Sequence, residues 1–302
     1  MNRKFTFSVL SFFCICTCSF AQNQVNILEV PGANQYCKID SGGISVLPSG
    51  RFVTPAGQMI RITHDPFGLA ISPDGKKAAT LHNGVVTLID LATMSATRIP
   101  DYQTKKKESP FHESSFLGVA FAPDSKIIYL SGGDNGAVFV FDTERKRLTD
   151  SLSLNGTVNG KTYEDSFTSD LLLNPSHNEL LVLDRGNFRL VRIDLATKNI
   201  TASINAGRQP FGLALSEDHK TAFVANVGMY SYPLIKGATP ENIDSIMITH
   251  HPYADNTKES INGTEVEGRT IPGVGSPLSP EAMSVFVVDL ATNKVTDKFK
   301  TG

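Results

Sequence analysis

The sequence contains no tryptophan and only four cysteines among 302 residues. Three of the cysteines, Cys14, Cys16 and Cys18, lie in an apolar N-terminal stretch, so that Cys37 is the only one beyond it. A single cysteine cannot form an internal disulfide, even in an oxidising compartment. The stability of the folded part must therefore come from packing.

The sequence also lacks the short motifs that mark common catalytic sites. It has no G-x-S-x-G elbow, no H-E-x-x-H, no Walker loop and no C-x-x-C after the N-terminal stretch. The glycine-rich segments at 42–45 and 131–136 precede strand-like rather than helical sequence, which indicates hairpin turns rather than phosphate-binding loops. We therefore predict no catalytic residue, no resident metal and no cofactor.

The charge is nearly balanced, with 28 basic and 30 acidic residues and a net charge of −2. Removal of Arg3 and Lys4 with a leader would leave 26 basic residues and a net charge of −4. An acidic balance argues against nucleic acid as a partner. The one basic cluster, Lys105 to Lys107, is interpreted as a solvent-exposed loop.

Residues 1–21 are predicted to be a signal peptide. Two basic residues precede an apolar run from Phe5 to Phe20, and Ser19 and Ala21 stand where a signal peptidase prefers small residues. The chain is then exported, to the periplasm or the cell exterior, and keeps no transmembrane anchor after cleavage. Lipid attachment through a leader cysteine is an alternative that the sequence leaves open.

The dominant pattern is a fourfold repeat. Each copy has an apolar strand, a turn rich in Pro, Asp and Gly, a second strand, and a third strand that ends on Asp. Short strands repeated every ~40 to 50 residues indicate a propeller or a solenoid. The equivalent positions in the four copies are Gly68, Gly118, Asp170 and Gly212 in the first strand, and Asp90, Asp142, Asp194 and Asp289 at the end of the third.

The repeat predicts an all-β chain, a β-propeller of four-stranded blades with about four blades visible. In the first copy the predicted strands are 68–72, 78–81, 85–90 and 96–99. The first and third of these strands are almost wholly apolar, which is typical of strands that are buried on both faces. The Asp that ends each third strand is predicted to bond its own turn rather than perform chemistry.

The segments GLAISPDG and VTLIDLAT resemble the YVTN-type repeat of YncE-like β-propellers, over residues 58 to 300. A narrower resemblance, through GGISVLPSGRFVTPAG and GVGSPLSPEAMSVFVVDLAT, is to the propeller half of bacterial exported proteins that carry an alkaline-phosphatase-type phosphoesterase domain. No metal cluster of that catalytic half is present in the sequence. The lack of tryptophan separates the repeat from the WD type.

The predicted organisation is a lead-in segment at 22–57 and a partial propeller domain at 58–302, with a long insertion at 228–283. Residues 58–63 match a fourth strand whose blade is missing. Four blades and one unpaired strand cannot close a ring. We expect the chain to be part of a larger propeller, with seven blades implied by the resemblance; closure through oligomerisation is the alternative.

Candidate ligand-binding residues lie in the loops that the resemblance places around the central channel. Polar groups that converge on a channel mouth form a default ligand site, although Asn and Asp are also favoured in any tight turn. The candidates are His64, Asp65, His82, Asn83, Asp134, Asn135, Asp170, Asp184, Arg185, Arg208, Gln209 and Asn226. The insertion, with His250 and His251, is interpreted as a lid or a docking surface.

Three functions are compatible with these observations. The first is an exported, non-catalytic binding or scaffold module for a partner protein or an envelope ligand. The second is the propeller portion of a phosphoesterase whose catalytic domain follows. The third is a metal-dependent propeller lactonase that uses the carboxylates of Asp65, Asp134, Asp170 and Asp184, since hard cations prefer oxygen ligands.

Overall fold

The protein was analysed as a computed structural model. It describes residues 29–40, 42–63, 65–82, 84–103, 109, 111, 116–228, 242, 257–266, 268–273, 275–276 and 278–301. The predicted signal peptide, His64, Asn83, His250 and His251 lie outside the described residues.

The chain divides into two units, with the boundary between Arg61 and Ile62. In the first unit, strands β1 (Ser45–Val46) and β2 (Phe52–Val53) form an antiparallel hairpin. The turn between them is closed by a bond from the Gly50 amide to the Leu47 carbonyl, and Gly50 has a φ of 74°, a conformation that glycine adopts without steric cost.

The described part of the second unit contains four four-stranded antiparallel sheets, with the strands of each in sequence order. Sheet 1 comprises β3 (Gly68–Ile71), β4 (Lys77–His82), β5 (Val85–Asp90) and β6 (Ser95–Ile99). Sheet 2 comprises β7 (Val119–Phe121), β8 (Ile127–Ser131), β9 (Ala137–Asp142) and β10 (Arg147–Ser153). Sheet 3 comprises β13 (Thr168–Asn174), β14 (Glu179–Asp184), β15 (Arg189–Asp194) and β16 (Ile200–Asn205). Sheet 4 comprises β17 (Pro210–Leu215), β18 (Thr221–Asn226), β21 (Ser284–Asp289) and β22 (Lys294–Lys300).

The repeated turns fold as the sequence predicts. Asp90 accepts hydrogen bonds from the amides of Ala92 and Thr93 at 3.0 and 2.8 Å, and Asp194 accepts from the Thr197 amide and hydroxyl, both at 2.7 Å. Asp142 and Asp289 bond their own turns in the same way. These bonds lower the pKa of all four carboxyl groups, because they stabilise the charged form.

An apolar core lies between each successive pair of these four sheets. Leu81 and Phe141 are among the residues buried between sheets 1 and 2, Leu152 and Val182 between sheets 2 and 3, and Leu183 and Phe286 between sheets 3 and 4. Each sheet therefore buries apolar side chains on a neighbouring sheet, as propeller blades do. The predicted fold class, an all-β propeller of four-stranded blades, is confirmed.

The strand expected at 58–63 is wrong: these residues belong to no strand. A fourth strand needs a third strand beside it to complete its backbone ladder, and that partner is missing from the described part of the chain. An additional hairpin, which the repeat pattern does not predict, lies between sheets 2 and 3 in the chain and is formed by β11 (Gly156–Val158) and β12 (Lys161–Tyr163).

The insertion leaves sheet 4 after β18 and returns at β21. Its described part has a short helix, α1 (Lys258–Asn262), followed by a hairpin of β19 (Gly263–Val266) and β20 (Arg269–Pro272). Thr257 caps the helix by accepting a bond from the Ser260 amide at 3.1 Å. Within the described residues, no helix has the length and apolar character needed to cross a membrane.

Candidate functional site

The first strand of each sheet begins at the same edge where the second strand ends. Thr168 pairs with Asp184 in sheet 3, and Pro210 pairs with Asn226 in sheet 4. The loops before the first strands and after the second strands therefore share one side of the second unit. The rim is defined here as residues 65–67, 116–117, 165–167, 184–187 and 208–211.

Four phenylalanines, each from just before or at the start of the first strand of a different sheet, gather at the rim. The Phe116 ring lies at the centre, with its centroid 5.4 Å from that of Phe67 and 5.7 Å from those of Phe167 and Phe211. The contacts with Phe167 and Phe211 are edge to face, the geometry that aromatic pairs favour. Phe67 is 51% exposed and the other three are half-buried, so the quartet presents aromatic surface to solvent.

The backbone before the first strands brings these rings together. Asp65, Leu117 and Gln209 have left-handed φ angles of 53°, 45° and 47°. Residues other than glycine avoid this conformation unless the surrounding structure enforces it. The Leu117 carbonyl lies so close to Gly68 that a Cβ on that glycine would come within 2.0 Å of the oxygen. The beginnings of the first strands of sheets 1 and 2 therefore approach each other closely at the rim.

A guanidinium group lies beside the quartet. The Arg185 guanidinium carbon is 5.9 Å from the centroid of Phe167, and Nη2 donates a hydrogen bond to Oε1 of Gln209 at 3.2 Å. The Arg185 side chain is partly exposed, and among the described residues no carboxylate forms an ion pair with it. The rim therefore combines an aromatic surface with a positive charge.

A buried network supports this part of the rim. Arg189 is 1% exposed and donates to Oδ2 of Asp184 at 2.8 Å and to the Leu154 carbonyl at 2.6 Å. The Tyr163 ring stacks on its guanidinium, with a centroid distance of 3.6 Å. Asp184 also accepts a bond from the Phe167 amide at 3.0 Å. The network thus fixes Phe167 and the β11–β12 hairpin to sheet 3.

Asp184 and Asp170 were predicted as ligand-binding residues, but their carboxylates already have partners within the protein. Asp170 accepts from the Leu213 amide and from its neighbour Leu171, both at 2.9 Å. Burial raises the pKa of Asp170, and these two hydrogen bonds oppose the rise. Both side chains connect structural elements.

The other predicted residues do not form one cluster. Asp65, Asp134 and Asn135 are exposed, and Asn135 Nδ2 bonds the Gly132 carbonyl of its own turn at 2.9 Å. His82 is 4% exposed and bonds the hydroxyl of Thr63.

Near the insertion, Arg208 Nη1 lies 3.4 Å from the Ser276 carbonyl. Asn226 is 3% exposed and donates to the Val224 carbonyl at 3.2 Å. Among the predicted residues that the structure describes, Arg185 and Gln209 are joined by a hydrogen bond at the rim.

The described residues contain no group of three or more His, Cys, Asp and Glu side chains placed to hold a metal ion. The four carboxylates considered for a lactonase are therefore not gathered into such a site.

Sequence reasoning missed the phenylalanine quartet. The signal was present, because Phe67 and Phe211 directly precede the repeat glycine and Phe116 precedes it by two positions.

No family model matches the chain, and no curated protein matches it. Among solved structures, the chain is similar to hydrazine synthase of Kuenenia stuttgartiensis, at 18% identity and a TM-score of 0.47, over 82% of this chain and 52% of that chain. It is also similar to the WD40 repeats of RRP9, at 12% identity and a TM-score of 0.41, over 56% of this chain and 47% of that one. The chain spans about half the length of each, and the similarity is too distant to transfer a function.

The class that the sheets define is the β-propeller type of repeat protein. This fold supports a generic binding or scaffold module. Fold alone does not specify what is bound, because propellers of one architecture serve unrelated functions.

Proposed function

We propose that this chain is an exported, YncE-like β-propeller that acts as a non-catalytic binding module and recognises a partner protein or envelope component through the rim. The observation that carries the proposal is the half-exposed phenylalanine quartet centred on Phe116. Burial of aromatic surface on a partner is favourable by about 25 cal/mol per Å².

The composition of the rim fits a protein-binding surface. Interfaces are enriched in aromatic residues and arginine, and a few such residues supply most of the binding free energy. Phe116 and Arg185 are of these types, and the Arg189–Asp184 network holds their surroundings in place. A rigid surface loses little conformational entropy on binding.

The proposal is tested by capture from an extract of the host's envelope and secreted proteins with the immobilised full chain. The variant Phe116→Ser removes the central ring, and Tyr102→Ser is the control, since Tyr102 is 80% exposed and not part of the rim. We expect one or more specific proteins bound by the wild type and by Tyr102→Ser but lost with Phe116→Ser.

Thermal unfolding of both variants establishes that they remain folded. A set of captured proteins that does not change in a folded Phe116→Ser variant would count against the rim. N-terminal sequencing of the exported protein tests cleavage after Ala21.

A second candidate is the propeller portion of a phosphoesterase, which the narrower sequence resemblance favours. The partner is then a catalytic domain of the alkaline-phosphatase type, and the chain alone should not hydrolyse p-nitrophenyl phosphate. Hydrolysis by the purified chain that depends on added metal would contradict both candidates.

A further inference from the structure

We infer that the rim recognises an extended polypeptide segment in which a carboxylate side chain stands two residues away from aromatic or large aliphatic side chains. This inference rests on the proposed function, because it specifies the chemistry of the partner that the rim binds. It depends on the position of Arg185 beside the phenylalanine quartet.

Arg185 differs from the two arginines in the strands of sheet 3. Arg189 pairs with Asp184 at 2.8 Å, and Arg192 pairs with Glu179 at 2.8 Å. Among the described residues, the Arg185 guanidinium instead has one neutral side-chain acceptor, Oε1 of Gln209. A guanidinium carries five N–H donors in a planar fork that matches a carboxylate.

The position of the guanidinium favours an anion over water as its additional partner. It lies 5.9 Å from the Phe167 centroid and is partly shielded from solvent. Ion pairs strengthen when a partner displaces water from the surface, because the local dielectric constant falls. A partner that covers the quartet would remove this water, and a neutral partner would leave the charge without its hydration.

The quartet supplies the second requirement. A group that carries charge alone gains nothing from the rings of Phe67, Phe116 and Phe211, which present aromatic surface at the rim. An apolar side chain two residues before or after the carboxylate would lie on the same face of an extended segment, about 6.6 Å away, and would reach these rings, whereas the directly adjacent residues point to the opposite face. Charge and apolar surface therefore define the partner segment together.

The experiment uses three peptides that carry fluorescein on the N-terminal amine, GFSESFG-amide, GFSQSFG-amide and GFSKSFG-amide, titrated with the full chain and followed by fluorescence anisotropy. We expect the glutamate peptide to bind about tenfold tighter than the glutamine peptide, and the lysine peptide to bind weakest. Increasing salt should reduce the difference between the glutamate and glutamine peptides.

The variants then assign the effect to one residue. In Arg185→Gln the preference for glutamate should disappear, while Arg185→Lys should keep part of it as a point charge without the planar fork. Arg145→Gln is the matched control, because Arg145 is an exposed arginine in a turn of sheet 2. It should bind all three peptides as the wild type does.

Equal binding of the three peptides, or a glutamate preference that persists in Arg185→Gln, would overturn this inference and leave an aromatic binding rim intact. Capture of an envelope protein through Phe116 without binding of any of the peptides would also overturn it. If both capture and peptide binding fail with folded protein, the proposed function fails as well.

Discussion

The carboxylate of Asp170 accepts a hydrogen bond from the backbone amide of Leu213 at 2.9 Å, and so joins the first strand of sheet 3 to the first strand of sheet 4. The other three repeats have glycine at the position of Asp170. At the equivalent position in sheet 2, the contact with the next sheet is made by backbone atoms: the Gly118 amide donates to the Ser169 carbonyl at 2.9 Å. In the third repeat, a hydrogen bond from a side chain thus connects the sheets where the second repeat uses a backbone hydrogen bond.

The variant Asp170→Asn should lower the free energy of unfolding at neutral pH by about 1–3 kcal/mol. An amide group has one acceptor oxygen, so its NH₂ would face one of the two amides that now donate to Asp170. Urea unfolding of both proteins measures the difference. A variant as stable as the wild type would show that the bridge contributes little.

We also predict that the difference in stability between the wild type and Asp170→Asn depends on pH. Burial raises the folded pKa of Asp170 above its ordinary value of 3.8, so the folded chain keeps this proton to higher pH than the unfolded chain. The contribution of Asp170 to the free energy of unfolding therefore decreases as the pH rises from about 4 through the folded pKa.

Because Asn does not titrate, the stability difference between wild type and Asp170→Asn should widen as the pH is lowered from 7 toward 4. A difference that narrows instead would mean that the hydrogen bonds outweigh burial.

Gly68→Ala should destabilise the protein strongly, whereas Gly212→Ala should not. A Cβ at Gly68 would lie 2.0 Å from the Leu117 carbonyl oxygen, and relief requires a backbone shift between sheets 1 and 2. A Cβ at Gly212 meets only the Ala225 methyl, at 3.7 Å.

We expect a loss of about 1–3 kcal/mol or more for Gly68→Ala and a change within about 1 kcal/mol for Gly212→Ala, measured by thermal and urea unfolding. The two glycines share one repeat position, so each serves as the control for the other. Equal losses of stability in Gly68→Ala and Gly212→Ala would contradict the close approach of the first two sheets.

Arg189→Met should cost about 3–5 kcal/mol, because it leaves the buried carboxylate of Asp184 without its cation. Arg145→Met, in an ion pair whose arginine side chain is 68% exposed, should cost less than about 1 kcal/mol. Urea unfolding measures both.

Limited proteolysis should also show faster cleavage in residues 156–167 of Arg189→Met, since Leu154 and Tyr163 both contact the guanidinium. Faster cleavage in the exposed β22 strand instead would point to general unfolding rather than to release of this hairpin.

Thr87→Val is expected to stabilise the protein by about 1 kcal/mol. The Thr87 side chain is 1% exposed, and its hydroxyl has no hydrogen-bond partner in the part of the chain that the structure describes. Valine has nearly the same shape and removes the buried polar atom. Thr97→Val, at an exposed position of β6, should change stability by less than about 0.5 kcal/mol. A destabilised Thr87→Val would show that the hydroxyl has a partner after all.

Much of the fold followed from local sequence. Strands of the first repeat lie within one residue of the predicted limits, because alternating turn and apolar segments fix where a strand can begin and end. The role of Asp90 and its equivalents was predictable for the same reason, since an Asp side chain bonds the turn that directly follows it. The strand at 58–63 failed because a strand depends on a neighbour, which no local pattern supplies.

The side-chain contacts at the rim could not be predicted from local sequence patterns. The sequence by itself determined the repeat, the sheets and the candidate loops, because these depend on residues close together in the chain. Only the tertiary structure decided that Asp184 pairs with Arg189, that Asp170 bonds the next sheet, and that phenylalanines from three other repeats meet around Phe116. Those partners are distant in sequence, and their meeting depends on how neighbouring sheets pack, which is set by the summed burial of all three cores.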